Sequence, residues 1–92
     1  MHTLFNIYPD QSRQRLEQTH LLILALLNFD HTVHIVFHKG SEQFIKENAD
    51  LSKKWQALPL YGAHDFWFFN GQHDNLNDQQ YRRIKQRADF IS

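Results

Sequence analysis

The chain contains no cysteine. That excludes disulfides, thiolate metal sites, persulfide chemistry on its own side chains and a cysteine nucleophile, in any compartment. Glycine is scarce, and its three copies form neither G-x-G-x-x-G nor G-x-x-x-x-G-K-[ST], so a phosphate cradle of either common type is missing and nucleotide binding is not expected. The serines are Ser12, Ser41, Ser52 and Ser92, none within G-x-S-x-G; Ser12 and Ser41 sit where helix caps or turns use a hydroxyl. Ten basic and ten acidic side chains cancel, leaving no global field towards nucleic acid or an anionic membrane. The longest apolar run, Leu21 to Leu27, falls far short of the roughly 20 residues that span a bilayer, and no basic leader with a cleavage site precedes it. A cytoplasmic protein without membrane contact is the expectation.

What is present suits one compact domain over residues 1–92. A hydrophobic content of 41%, with 14% aromatic residues, is enough for a core without metal or covalent cross-links. "HTLFNIY" alternates as a strand and ends at Pro9-Asp10. Ser12 can cap a helix of about five turns that carries Leu16, Leu21 to Leu27 and Phe29, apolar nearly all round in its second half, which suggests a subunit contact. "TVHIVFH" reads as the second strand, closed by Lys39-Gly40 and followed by a helical turn near Phe44 and Ile45. Leu51, Trp55 and Leu58 share a helical face that Pro59 terminates. Asp65 to Phe69 reads as the third strand, and Asn70-Gly71 opens a polar loop. Asn77 and Gln80 form a capping pair for a helix ending near Arg87, with Tyr81, Ile84 and Ala88 as its buried stripe, and "ADFI" is a brief last strand. Strands alternating with helices predict an α/β fold: a small flavodoxin-like or Rossmann-like three-layer arrangement with a mainly parallel four-stranded sheet, in strand order 2-1-3-4.

In such a sheet the loops leaving the carboxyl ends of the strands make the ligand crevice. Here those loops are Pro9 to Gln11, Lys39 to Ser41 and Asn70 to Asp74, and they make His38, Asn70 and His73 candidate ligand-binding residues. His34 and His38 share a strand face but lie about 13 Å apart at about 3.3 Å per residue, too far to hold one ion. No metal and no cofactor are implied. Asp10, Asp74 and Asp78 could supply paired carboxylates, yet the last two also suit a loop and a first helical turn. Arg82, Arg83, Lys85 and Arg87 gather on the last helix, where a solvated face is the plainer reading and RNA phosphate contact the functional one. The block "DFWFF" is core by default and an assembly edge by alternative.

The segments "LLILALLNFDHTVHIVFHKGSEQFI", "DLSKKWQALPLYGAHDFWF" and "ADFIS" together resemble the DsrE/DsrF/DsrH family of sulfur-relay proteins, with the DsrF or TusC-like branch nearest. The likeness lies in the Leu/Ala-rich first helix, the strand running into Gly40, the approach Leu58-Pro59-Leu60-Tyr61 and the closing Ala-Asp-hydrophobic strand. The resemblance implies a small domain that assembles with itself or with cysteine-bearing sister subunits, in tRNA thiolation or in sulfur oxidation. In that relay a cysteine just after the third strand carries the sulfur, whereas this chain has Phe69, Asn70 and Gly71 there. A non-catalytic assembly subunit is therefore the first expectation, with direct nucleic-acid contact not expected. A small-ligand binding or hydrolytic domain working through the polar carboxyl-edge loops is the alternative.

Overall fold

The computed structural model describes residues 1–64, 66–69 and 75–92. Along the chain come β1 (His2–Ile7), α1 (Arg13–Asn28), β2 (Thr32–His38), α2 (Ser41–Glu47), α3 (Ala49–Gln56), a 3-10 turn over Leu58–Tyr61, β3 (Trp67–Phe69), α4 (Asp78–Arg87) and β4 (Phe90–Ile91). Local signals set these bounds. The Ser12 hydroxyl accepts from the Arg15 amide at 3.1 Å and starts α1. Asn77 and Gln80 exchange side-chain and backbone bonds in a full capping box at the start of α4. Pro59 falls in the first turn of the 3-10 segment, where its missing N–H leaves no bond unmade, so α3 tightens rather than simply stopping.

All strand pairs are parallel, in a four-stranded α/β sheet of order β3-β2-β1-β4. This corrects the expected order 2-1-3-4. β1 does neighbour β2, but β3 joins the far side of β2 and becomes an edge, while β4 takes the open side of β1. Burial explains the difference. Val33, Ile35, Val36 and Phe37 are buried, so β2 is covered on both faces as a central strand must be, whereas the three residues of β3 are only half-buried.

Alternation along the strands sorts the core into two layers. Phe5, Ile7, Val33, Ile35 and Phe37 pack with Leu16, Ile23, Trp55 and Leu58 beneath α1 and α3. On the opposite face Leu4 and Val36 meet Leu76 and, from β3 and α4, Trp67, Phe69, Tyr81, Ile84 and Ala88. The return through α4 therefore crosses the face that α1 and α3 leave free, which completes three layers. Asp65 and the loop candidates Asn70, Gly71, His73 and Asp74 lie outside the described residues. Among the described residues no helix is long and apolar enough to cross a membrane.

α1 ends in a Schellman motif. The Asp30 amide bonds the Leu27 carbonyl, the His31 amide bonds the Leu26 carbonyl, and Asp30 takes a left-handed φ of 58°. An L side chain pays for that conformation and glycine does not, so Asp30→Gly is expected to raise the unfolding free energy by about 0.5–1 kcal/mol, read from urea denaturation.

Candidate functional site

Asn6 is the one polar residue inside the run Leu4 to Ile7, and period-2 alternation turns it with Leu4 towards α4. Its amide is buried and must be hydrogen-bonded to be tolerated. Nδ2 donates to the Ser92 carbonyl at 3.2 Å, which fixes Oδ1 as an acceptor. Oδ1 then receives the Tyr81 hydroxyl at 2.5 Å and the Nε2–H of His38 at 2.9 Å. The neutral His38 ring is thereby held as the Nε2–H tautomer, and its Nδ1 lone pair has no hydrogen-bond partner among the described residues. Burial lowers the His38 pKa, and burial together with the neighbouring Tyr8 raises that of Tyr81, so both groups are neutral near pH 7.

Aromatic rings enclose the imidazole. Tyr8 stacks on it at 4.3 Å between centroids, Phe69 and Tyr81 meet it edge-on, and these two stack on each other at 4.9 Å. Beyond Tyr8 a cleft of about 460 Å³, lined by Tyr8, Asp10, Gln11, Ser12 and Arg15, opens at the start of α1. A neutral imidazole with one free lone pair can accept a hydrogen bond or a proton at this rim.

Of the sequence candidates, His38 thus stands at the carboxyl edge inside a network. Asn70 and His73 lie outside the described residues. Asp10 lines the cleft, and Asp78 sits in the first turn of α4. Ser41 is buried and its hydroxyl donates to the His38 carbonyl at 2.7 Å, closing the turn around Gly40. His34 and His38 face the same way at opposite ends of β2, where His34 instead stacks with His2 and His64. His20 is structural, its Nε2–H donating to the Lys54 carbonyl at 3.0 Å to tie α1 to α3. Among the described residues no three His, Asp or Glu side chains are grouped to hold a metal ion. Sequence reasoning missed Asn6, Tyr8 and Tyr81. The signal was a lone amide in an otherwise buried strand, which demands partners from elsewhere.

A second surface lies at the other edge of the sheet. Leu22, Leu26 and Phe29 recur at i, i+4 and i+7 on α1, and the first two border a cleft with Phe90 and Ile91 of β4. Leu22, Phe29, Phe90 and Ile91 are 51%, 77%, 57% and 52% exposed. The two sheet edges also differ in backbone protection. On β3, Asn75 takes up the outward groups: its Oδ1 accepts from the Phe68 amide at 2.7 Å, its Nδ2 donates to the Phe66 carbonyl at 3.0 Å, and its own amide bonds the Phe68 carbonyl. On β4, Ser92 directs its amide and carbonyl inward to Leu4 and Asn6, so alternation leaves those of Ile91 facing outward.

No family model matches the chain, and comparison with curated proteins and with solved structures finds none that matches either.

Two measurements probe the network. Asn6→Ala strips the acceptor from two partly buried donors and is expected to cost about 2–3 kcal/mol in urea unfolding, against about 1 kcal/mol for Tyr81→Phe; the double variant should cost less than the sum. The pH dependence has a defined sign. Burial lowers the pKa of His20 and His38, and burial with the neighbouring His64, His2 and Arg87 lowers that of His34 to about 4, against an ordinary 6.5. The unfolded chain therefore binds protons first as pH falls. Stability should be full above about pH 6.5 and decline down to about pH 4, and His34→Gln should flatten the decline in urea midpoints.

Proposed function

We propose that this chain is a non-catalytic assembly subunit, of the sulfur-relay type its sequence pattern resembles, and that its first partner is a second copy of itself docked along α1 and β4. The observation that carries the reading is the unprotected β4 edge flanked by the apolar stripe Leu22–Leu26–Phe29. Isolated exposed leucines are ordinary, but here they adjoin one another and an open strand, the combination soluble proteins normally blunt with charge, proline or a covering loop. α1 carries no Asp, Glu, Lys or Arg from Gln18 to Asn28, so nothing charged would be desolvated by docking. A second copy fits because two β4 edges can pair antiparallel about a two-fold axis, satisfying Ile91 in both chains and bringing the two stripes together. A cysteine-bearing sister subunit is the other occupant of this surface. In either assembly the chain contributes shape and contact area, because it has no sulfur of its own to transfer.

The purified chain is expected to sediment as a dimer at micromolar concentration, and Leu22→Asp with Phe90→Asp should weaken the dimer at least about thirtyfold, the loss expected of roughly 2 kcal/mol at an interface centre. A wild-type chain that is monomeric at tens of micromolar, yet binds a cysteine-bearing sister through the same residues, would replace the self-pairing with the mixed one. A monomer that binds neither would end the reading.

The carboxyl-edge cleft favours a second reading, small-ligand binding beside His38. Its support is the conjunction of a polar cleft, a stacked Tyr8 and an imidazole nitrogen without a hydrogen-bond partner among the described residues, at the end of the sheet where such folds bind ligands. Any metabolite that raises the melting temperature of the wild-type chain should fail to do so in Tyr8→Ala and His38→Ala.

A further inference from the structure

The opposite, amino-terminal end of the α4 face holds a separate cluster. His2 at the start of β1, His34 on β2 and His64 before β3 form one stack, with ring centroids 5.8 Å apart for His2–His34 and 4.6 Å for His34–His64, the planes within 10° and 13° of parallel. Arg83 and Arg87, four residues apart on α4, close over this stack with Ile84 and complete a cleft of about 280 Å³. Among the described residues neither guanidinium has a carboxylate partner. The Asp89 carboxylate accepts the His2 backbone amide at 2.8 Å. The Nδ1 atoms of His2 and His34 are buried without a hydrogen-bond partner.

Each of these features is costly in the empty chain. Two cations face three imidazoles across one cleft, and His34 is kept neutral by burial and by His64, His2 and Arg87. Buried ring nitrogens without partners forfeit their hydrogen bonds. A neutral apolar ligand would relieve none of this, a cation would meet the two guanidiniums, and among the described residues the rings are not grouped to hold a metal ion. An anion would pair with the guanidiniums and favour the protonated imidazoles. The volume is just below the roughly 300 Å³ at which ligand pockets begin, so the occupant is small. The side chains that line the cleft come from two strands, a loop and a helix, an arrangement that can surround the several oxygens of a tetrahedral ion.

We infer that the cleft between the His2–His34–His64 stack and the Arg83–Arg87 face of α4 is a binding site for a phosphate-type oxyanion. It divides the basic run of α4 into two roles, with Arg83 and Arg87 facing the site and Arg82 and Lys85 on the remaining surface. The ion could be free phosphate or sulfate, or the terminal phosphate of a larger molecule.

The test is a titration of the whole chain with sodium phosphate, sulfate, phenyl phosphate and acetate at constant ionic strength, at pH 5.5 and 7.5, following the histidine Cε1–H resonances and the melting temperature. Expected are saturable shifts of the His34 and His64 resonances with phosphate or sulfate, at least tenfold tighter than with acetate and tighter at pH 5.5 than at pH 7.5. Phenyl phosphate matching phosphate would point to a phosphate carried on a larger molecule, and its exclusion would point to the free ion. Arg83→Gln with Arg87→Gln should weaken binding at least tenfold. Lys53→Gln with Arg82→Gln, which removes the same charge from exposed positions elsewhere, should leave it unchanged. The inference is overturned by the absence of any saturable shift, by acetate binding as tightly as phosphate, or by equal losses in the two double variants.

Discussion

A single buried amide determines how the two halves of this structure meet. Asn6 lies on β1, at the centre of the sheet, and its three hydrogen bonds reach β2 through His38, α4 through Tyr81 and the end of the chain through the Ser92 carbonyl. A leucine in that place would bury more apolar surface, but it would leave the Tyr81 hydroxyl and the His38 ring nitrogen without an acceptor in a desolvated site. Hydrophobic contact alone gives α4 a stripe, Tyr81, Ile84 and Ala88, that could slide along the sheet. The amide fixes its register, because only one position brings the Tyr81 hydroxyl onto Oδ1. The same bond selects the tautomer of His38, so the geometry of the layer and the chemistry of the rim come from one interaction.

Helix starts, strand identities and the two-layer core were legible in the residues, because caps and apolar periodicity are local and their physics is complete within a few positions. Ser12, Asn77 with Gln80, and the Leu51–Trp55–Leu58 face are of that kind. Strand order is not local. It depends on which strand is covered on both faces, and "DFWFF" reads as apolar on both faces although β3 is a half-buried edge, while β2 takes the central place. At the site, His38 was legible as a polar residue at a carboxyl edge, whereas Tyr81 was indistinguishable from core, since its ring packs on Phe69 and only its hydroxyl has a polar role.

The α4 face also shows how a strand period of two can separate functions in a very small domain. His34 and His38 sit on the same side of β2, yet Leu4, Val36 and Leu76 fill the space between their surroundings. Polar groups thus collect at both ends of one apolar seam. At the carboxyl end Asn6 bonds both Tyr81 and the Nε2 side of His38. At the amino end the two guanidiniums have no carboxylate partner among the described residues, and the Nδ1 atoms of His2 and His34 have no hydrogen-bond partner there. The two ends differ in whether the polar groups are bonded to one another.

That contrast applies equally to the sheet edges. β3 is short and half-buried, and Asn75 folds back to occupy its outward amide and carbonyl groups, so that edge is closed by the chain itself. β4 is shorter still, and among the described residues its outward groups have no partner. A two-residue strand next to a central strand is a weak element in isolation, since few bonds repay the ordering of its backbone. Its place in the sheet rests on Ser92 bonding both Leu4 and Asn6, and so again on the Asn6 position. A neighbour pairing with Ile91 would add bonds to the least secured strand and cover the Leu22–Leu26–Phe29 stripe in the same step. Assembly along this edge and the internal order of the α4 layer are then coupled through β1, because whatever holds β4 in place also holds the carbonyl that orients the Asn6 amide.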